Sequence, residues 1–332
     1  MEFHWGDCLD RETGLFTMVE NRFRGRYAAP DLAAVRADVP ILTVTKATLN
    51  WQRMVAFTAL DELTLHEPLP GQIAALAEMP RLRRLRITHA RPADLEPLRG
   101  LGALEELVLE YVSKVADLSP LGALPSLRAL HLENLRGLRD LSGLAGAGLR
   151  TLQVTGTLDW AQPIDGLDVL PDLPRLERLH LGTIRLAANF PAFRGIAAST
   201  AGFVSMPGNL APLRDYAWLA ARRPDLAPCL PPVVDVVQAD PHVLARIRAD
   251  LAQRLGGEID AGLAAKLQAP EPGNCELVTF LGKGERSVDY RFRPTPHLGG
   301  PDPATLQRME RHEARFAELL AAYKDARDVT DS

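Results

Sequence analysis

The sequence predicts an α/β solenoid, in which short parallel strands stack into one continuous sheet, followed by a small α+β domain. The first observation is an internal repeat of the pattern L-x-x-L-x-L, which recurs at intervals of 22, 22, 23, 22 and 27 residues. The second is the loss of this period beyond residue 236, where helical and hairpin patterns replace it. The six copies begin at Leu60, Leu82, Leu104, Leu127, Leu149 and Leu176.

Each copy has the spacing of a short strand that is buried on one side. Its fourth and sixth positions point to the same face of a strand, whereas the third, fifth and seventh positions point to the other face. A single strand cannot bury its leucines alone, but stacked copies share one leucine core and form a parallel sheet. A weaker copy at residues 39–44, Val-Pro-Ile-Leu-Thr-Val, is predicted to begin the stack.

The segments that connect the strands also resemble one another and predict short helical turns. Residues 93–98, 116–121 and 139–144 each carry an aspartate that is followed three residues later by proline or glycine. Aspartate is a favoured cap residue, so we expect each segment to form a 3₁₀ or single α turn. Leucines such as Leu95 and Leu98 are expected on the inner side of these turns.

These repeats resemble the leucine-rich repeats of the 22-residue class, found in bacterial internalins and in cytosolic phosphatase-regulator solenoids. The stretch 117–127, Asp-Leu-Ser-Pro-Leu-Gly-Ala-Leu-Pro-Ser-Leu, is especially similar to the internalin-like pattern. The resemblance covers about residues 39–190, with a looser continuation to about 230. It implies a right-handed superhelix with a parallel concave sheet, whose exposed strand face binds another macromolecule, most simply a protein.

One position departs from that family. Its members usually carry an asparagine three residues after the last strand leucine, where the side chain bonds the bending backbone. Because no asparagine occurs there, the backbone groups at each bend need other partners. The corresponding residues are Pro68, Ala90, Val112, Leu135, Thr157 and Ile184.

Three regions are predicted along the chain: an N-terminal cap at 1–38, the leucine-rich-repeat solenoid at 39–230, and an α+β C-terminal extension at 236–332. A helix at 209–223 is expected at the far end of the solenoid. The extension is predicted to contain helices at 240–255 and 258–267, a hairpin around Gly282-Lys283-Gly284, and a final helix at 302–325. The apolar stripe of that last helix is predicted to be Leu306, Met309, Phe316, Leu320 and Tyr323.

Composition limits the classes of function. The chain of 332 residues is 46% hydrophobic, which excludes wholesale disorder, and its net charge of −4 argues against a nucleic-acid binder. No apolar run reaches the roughly 18–20 residues that cross a bilayer, so we expect no membrane contact. The first five residues, Met-Glu-Phe-His-Trp, do not form a basic segment followed by an apolar stretch, so no signal peptide is expected. The three distant cysteines, Cys8, Cys229 and Cys275, predict free thiols and a cytoplasmic location.

The candidate site is the polar face of the predicted sheet, where we expect binding of another protein without catalysis. Arg84 and Arg86 are singled out as anchors, because an arginine grips a carboxylate with two hydrogen bonds. The alternative is that these charged side chains only solvate an exposed sheet and pair across neighbouring strands. The predicted partner-binding residues are Glu62, His66, Arg84, Arg86, Glu106, Glu110, His131, Glu133, Arg178 and His180.

The sequence gives weaker support to other kinds of site. The face carries histidines and glutamates, but no closely spaced ligand pair indicates a metal, and no cofactor is predicted. Gly282-Lys283-Gly284 lacks the full phosphate-binding pattern and fits a hairpin turn better. Cys275 falls in a predicted strand, where a buried, inert thiol is usual. An enzyme or effector with an active site in the C-terminal domain, or a self-associating structural protein, stay open as alternatives, and the oligomeric state is not predicted.

Overall fold

A computed structural model describes the chain over residues 28–157, 159–238, 275–284, 289–292 and 303–330. Most of the predicted N-terminal cap and both helices predicted between 240 and 267 lie outside the described residues. No described helix combines the length and apolar character needed to span a membrane.

The chain divides into two compact units. The first comprises Met1–Leu210 and Arg222–Leu230, and the second Ala211–Ala221 and Pro231–Ser332. Residues 211–221 therefore cluster with the second unit, although we expected them at the end of the solenoid. The domain limits 1–38, 39–230 and 236–332 stay predictions.

The first unit is built on an eight-stranded parallel sheet in which each repeat contributes one strand. Its order is β1-β2-β3-β4-β5-β6-β8-β10, so the strands follow the chain apart from two that form a separate small sheet. The strands are β1 Ile41–Thr45, β2 Glu62–His66, β3 Arg84–Thr88, β4 Glu106–Glu110, β5 Ala129–Glu133, β6 Thr151–Thr155, β7 Gln162–Ile164, β8 Arg178–Leu181, β9 Ile184–Leu186 and β10 Phe203–Ser205.

The register of this sheet aligns equivalent repeat positions, which confirms the predicted core. Leu63 pairs with Leu85 and Leu85 with Leu107, and the same alignment continues through β8. At the fourth and sixth positions of the six predicted copies, every side chain is at most 3% exposed. Burial of each leucine contributes about 1.5–3 kcal/mol, so the stack is held mainly by contacts between neighbouring repeats.

Short helical turns return the chain between strands, as predicted. In three of them an aspartate carboxylate, from Asp94, Asp117 or Asp140, accepts the backbone N–H two residues further on, at 2.8–3.0 Å. The α turns are α1 Pro70–Ala74, α2 Ser119–Gly122 and α3 Arg194–Ala198. The 3₁₀ turns are Leu32–Ala34, Trp51–Ala56, Ala75–Glu78, Glu96–Leu98, Ser142–Leu144, Leu170–Asp172 and Pro224–Cys229.

A left-handed residue ends four of the strands and makes the bend that leaves the sheet. Glu67, His89, Tyr111 and Asn134 have φ values between 48° and 55°. Each donates its backbone N–H to the carbonyl of the last residue of the next strand, at 2.9–3.0 Å. The ladder of hydrogen bonds thus extends one residue past these strands before the chain turns away.

Buried glutamines replace the missing asparagines at two of the bends. Gln162 accepts the N–H of Leu135 at 2.8 Å and donates its amide to the carbonyls of Leu135 and Leu138 at 3.1 and 2.8 Å. Gln72 likewise accepts the N–H of Leu69 and donates to the carbonyl of Thr45, both at 2.8 Å. At these two bends, the backbone groups that have no evident partner in the sequence are satisfied by a buried glutamine side chain.

The longest interval between copies, 27 residues, accommodates an additional strand. Residues added after β6 form β7, which pairs in parallel with β9 in a separate two-stranded sheet. Gly156, between β6 and β7, is tightly enclosed, because a Cβ atom there would overlap the backbone oxygens of Trp160 and Thr183. A glycine is therefore required where the chain leaves the main sheet.

The described part of the second unit contains a three-stranded antiparallel sheet, β11-β12-β13, and two helices. Its elements are α4 Leu213–Arg222, β11 Val234–Gln238, β12 Cys275–Phe280, β13 Asp289–Phe292 and α5 Pro303–Thr330. The antiparallel pairing of β12 with β13 confirms the predicted hairpin, whereas β11 was not predicted. Lys283 donates its backbone N–H to the carbonyl of Ala211 at 2.7 Å and so fixes the turn.

The predicted stripe of the final helix is wrong at its first residue. Leu306 is 43% exposed, whereas Thr305 and His312 are buried. His312 donates a ring N–H to the carbonyl of Leu281 at 2.9 Å, and Arg308 stacks over the Phe280 ring at 4.2 Å. Positions 305 and 312 are two helical turns apart. The other four residues of the predicted stripe are half-buried on the same face, so only its first position is displaced by one residue.

We expect Gln162→Leu to destabilise the first unit by about 3 kcal/mol, because the buried N–H and carbonyl groups of the 135–138 bend would lose their partners. Gln52→Leu is the matched control, since Gln52 is exposed. Urea unfolding measures both variants. Equal stability of the two would show that the bend does not depend on the glutamine.

We expect Gly156→Ala to cost about 2–3 kcal/mol, because its methyl group would have to displace two backbone carbonyls. Gly102→Ala should stay within about 0.5 kcal/mol of the parent, since no atom lies within 4 Å of the Cβ position there. Thermal unfolding followed by circular dichroism compares the two, and a loss of the same size in both would contradict the steric argument.

Candidate functional site: the polar face of the sheet

The face of the main sheet opposite the leucines carries three rows of aligned side chains, which we call the polar face. Its rows follow directly from the parallel register, because equivalent positions of successive strands lie side by side. The first row is Glu62, Arg84, Glu106, Ala129, Thr151, Arg178 and Phe203. The second is Thr64, Arg86, Val108, His131, Gln153, His180 and Ser205. The third is His66, Thr88, Glu110, Glu133 and Thr155.

The first row begins with alternating charges. The guanidinium of Arg84 contacts the carboxylate of Glu62 and lies 3.7 Å from that of Glu106. Arg128 adds a second cation to Glu106 at 3.3 Å. Opposite charges on adjacent strands stabilise a sheet, so this end of the row is electrostatically matched.

Arg86 reaches diagonally from the second row to the third and binds Glu110. Its Nη2 atom lies 2.5 Å from both carboxylate oxygens, and its Nε atom lies 3.1 Å from Oε2. Both side chains are buried. A charged pair in this environment is stable only while both partners are present, so Arg86 and Glu110 form part of the folded framework.

Glu110, His131 and Glu133 form a cluster on two adjacent strands, with one potential ligand atom from each within 4.8 Å of the others. The Nε2 atom of His131 lies 3.6 Å from Oε2 of Glu133. Burial and the charge of Glu110 raise the pKa of Glu133 to about 7. Burial, together with the charge of Arg86, lowers the pKa of His131 to about 3, so its imidazole is neutral at pH 7.

The remaining predicted site residues lie apart from these clusters. Arg178 is half-buried between Thr151 and Phe203, and no carboxylate pairs with it within the described part of the chain. His180 packs against Phe203, with ring centroids 5.3 Å apart, and burial with the nearby Arg178 charge lowers its pKa to about 4. His66 hydrogen-bonds the hydroxyl of Thr88 at 2.7 Å.

All ten predicted residues therefore lie on one face, but the expectation of an exposed, solvated surface is wrong. Pairing across strands occurs as expected, yet seven of the ten are at most 9% exposed. Arg84 and Arg86, the predicted anchors, already bind carboxylates of this chain. The seven buried residues are Glu62, Arg86, Glu106, Glu110, His131, Glu133 and His180.

Sequence reasoning missed a line of rings beside the third row. His89 stacks on Tyr111 with centroids 4.7 Å apart and a 7° angle between the planes, and it meets His66 edge-on at 5.3 Å. His89 and Tyr111 occupy the left-handed position after a strand, where the periodic pattern has no leucine to mark them. The available signal was the recurrence of ring-bearing residues at an interval of 22.

A cavity of about 700 Å³ lies where the chain leaves β2 and β3. Four prolines and Ile73 give it an apolar lining, while Lys46 and Arg91 bring positive charge. Lys46 is paired with Glu67 at 2.7 Å, whereas no described residue forms an ion pair with Arg91. The cavity therefore lies next to the polar face, at the end of the strands.

The repeated strand, bend and return turn, stacked in register on a leucine core, define the first unit as a leucine-rich-repeat solenoid. No protein-family model matches the sequence, and neither does any curated protein. Solved structures of two internalins and of one leucine-rich repeat domain resemble about half of the chain.

An internalin (inlF) from Listeria monocytogenes is 21% identical, with a TM-score of 0.38, over 51% of this chain and 48% of that one. The match thus spans about half the length of that internalin. Internalin C2 from the same organism is 20% identical, with a TM-score of 0.35, over 51% of this chain and 81% of that one. The leucine-rich repeat domain of the type III effector XopL is 20% identical, with a TM-score of 0.32, over 49% of this chain and 72% of that one.

We expect the stability of the first unit to fall on acidification partly through His180. Its pKa is about 4 in the folded chain and near 6.5 when unfolded, so the unfolded state binds the proton first as the pH drops. The contribution of His180 to the free energy of unfolding is intact above pH 6.5 and is lost as the pH falls towards 4. Between pH 7 and 5 the parent should lose about 2 kcal/mol more than His180→Gln.

Urea unfolding at pH 7, 6 and 5 measures this difference. The charged or titratable neighbours are Arg178 on the same strand and His131 across β6, and both are kept in the variant. Parallel stability curves for the two proteins would contradict the assignment to His180.

Proposed function

We propose that this chain is a non-catalytic recognition module that binds another protein through the polar face. The observation that carries the proposal is the alignment of three rows of mostly polar side chains on seven hydrogen-bonded strands. Because the backbone ladder and the buried charge pairs fix these side chains before a partner arrives, little conformational entropy is lost on binding. We place this role in the cytoplasm, in keeping with the cysteine usage of the chain.

The ten predicted residues have different parts in this proposal. Arg84 and Arg86 hold the carboxylates of Glu62, Glu106 and Glu110 in place and act as positioning residues. Arg178 is the anchor, because its guanidinium has no carboxylate partner among the described residues and because Phe203 is its register partner on the next strand. An aromatic ring next to an arginine favours a partner that presents a carboxylate beside an apolar group.

Because Arg86 is a positioning residue and Arg178 is the anchor, binding through the polar face is tested with a variant of Arg178. Replacing Arg86 with glutamate would place a third carboxylate beside Glu110 and Glu133 in a buried site. Such a variant would lose the folded state, so lost binding would not report on the surface. Arg178 is only half-buried and its charge is not needed to balance a neighbour.

We expect Arg178→Glu to weaken binding of the cognate protein at least 30-fold, equivalent to about 2 kcal/mol, because the anchor would repel a carboxylate. Arg175→Glu is the matched control, since it makes the same charge change at an exposed position three residues away, outside the strand. The full-length parent and both variants are immobilised and exposed to a lysate of the source cells, and bound proteins are quantified by mass spectrometry.

The proposal requires a protein that the parent and Arg175→Glu retain and Arg178→Glu loses, and whose purified form reproduces that order of dissociation constants. A set of bound proteins that is unchanged by Arg178→Glu, or reduced equally by both variants, would overturn it. Circular dichroism and urea unfolding establish that both variants are folded.

A further inference from the structure

The third row of the polar face places two carboxylates directly opposite each other. Glu110 and Glu133 are register partners on β4 and β5, and His131 lies two residues before Glu133 on the same face. We propose that Glu110, His131 and Glu133 form a binding site for a divalent transition-metal ion, for which Zn²⁺ is the most suitable probe. This inference is independent of the proposed protein recognition, because ion binding is measured without a partner.

The cluster needs more positive charge than the described residues around it supply. Like charges opposite each other destabilise a sheet, and here both glutamates are only 9% exposed. Arg86 binds both oxygens of Glu110 and so balances one of the two. Within the described residues no hydrogen-bond donor reaches the carboxylate of Glu133, and the Nε2 atom of His131 lies 3.6 Å from its Oε2 atom. A bound cation would remove the repulsion that remains.

The donor set selects the class of ion. One imidazole with two carboxylates is a mixed nitrogen and oxygen set, which suits zinc and its neighbours in the first transition row. Calcium prefers six to eight oxygen ligands, and magnesium retains several waters in a strict octahedron, so neither fits a site with a nitrogen donor. Three protein ligands also leave one tetrahedral position for water or for a group of a bound partner.

The distances need only a small contraction. Donor atoms about 2.0–2.2 Å from a tetrahedral zinc ion lie roughly 3.3 Å from one another. The separation of 3.6 Å between His131 Nε2 and Glu133 Oε2 is already near that value, and all three donors lie within 4.8 Å. The backbone positions are held by the parallel ladder, so side-chain rotation suffices to close the site.

Two neighbouring side chains compete with the ion for its ligand atoms and so limit how strongly it binds. Gln153 places its amide nitrogen 3.3 Å from Nε2 of His131, and an amide N–H can only donate, so it occupies the lone pair that would bind the metal. Arg86 competes in the same way for Glu110. The site should therefore bind zinc reversibly and more weakly than a dedicated structural zinc site.

Isothermal titration with ZnCl₂ of the full chain, freed of metal by chelator and without an affinity tag, tests the proposal. We expect one equivalent to bind to the parent and to His180→Gln, which removes a buried histidine of the same face outside the cluster. Binding should weaken at least tenfold in His131→Gln and in Glu133→Gln. The second of these removes a buried like charge, so its folding is not at risk.

Gln153→Ala should tighten zinc binding several-fold, because it frees the imidazole lone pair of His131. Misfolding could not produce tighter binding. The visible spectrum of the Co²⁺ form should show tetrahedral nitrogen and oxygen ligation without thiolate charge-transfer bands. The proposal is overturned if the parent binds no zinc. It is equally overturned if His131→Gln and Glu133→Gln bind as the parent does, if Co²⁺ reports thiolate ligands, or if excess Mg²⁺ or Ca²⁺ displaces the ion.

Discussion

The fold depends on one constraint: each strand can bury its leucines only against the strand of the next repeat. A slip of one residue between neighbours would exchange the leucine face with the charged face, so burial fixes the register of every pair in the stack. The same register then determines the opposite side of the sheet. Glu62, Arg84 and Glu106 lie side by side because Leu63, Leu85 and Leu107 do. The core and the polar face are thus two consequences of one alignment, and neither can shift without the other.

This coupling explains which parts of the structure were predictable. The period of 22 residues determines the register, and the register determines the three rows. All ten candidate residues were therefore placed on the polar face. The pairing of Arg86 with Glu110 was not predictable, because it runs diagonally and depends on the length and rotamer of one side chain. The roles of Gln72 and Gln162 were hidden for a related reason. Each bonds a bend in the preceding repeat but sits outside the repeated pattern, and nothing marks it in the sequence.

Burial of the polar face changes what its charges do. A solvated charge pair contributes little, whereas a buried pair such as Arg86 with Glu110 is costly to break and rigid while intact. The arginines that looked most available for a partner are therefore committed to the sheet itself. Arg178 is the charge left over from this internal balance, and the rings of His89 and Tyr111 follow the strands on the same side of the sheet. The charged residues in the sequence indicated where the polar face lies. Only the ion pairs in the structure show which of its charges are already balanced.

The charges of the polar face are unbalanced at one place, in its third row, and this imbalance is informative. The start of the first row alternates in sign, and the third row has threonines, Thr88 and Thr155, on the two strands that flank β4 and β5. A face selected for stability alone would continue in one of these ways through β4 and β5. It has instead two glutamates in register beside a neutral imidazole, with a single arginine that binds only one of the two carboxylates. Local conflicts of this kind, in a sequence that is otherwise consistent, are characteristic of functional sites, because the conflict is resolved by something the chain binds. The misfit at Glu110 and Glu133 is thus a stronger indication of function than any of the matched pairs around it.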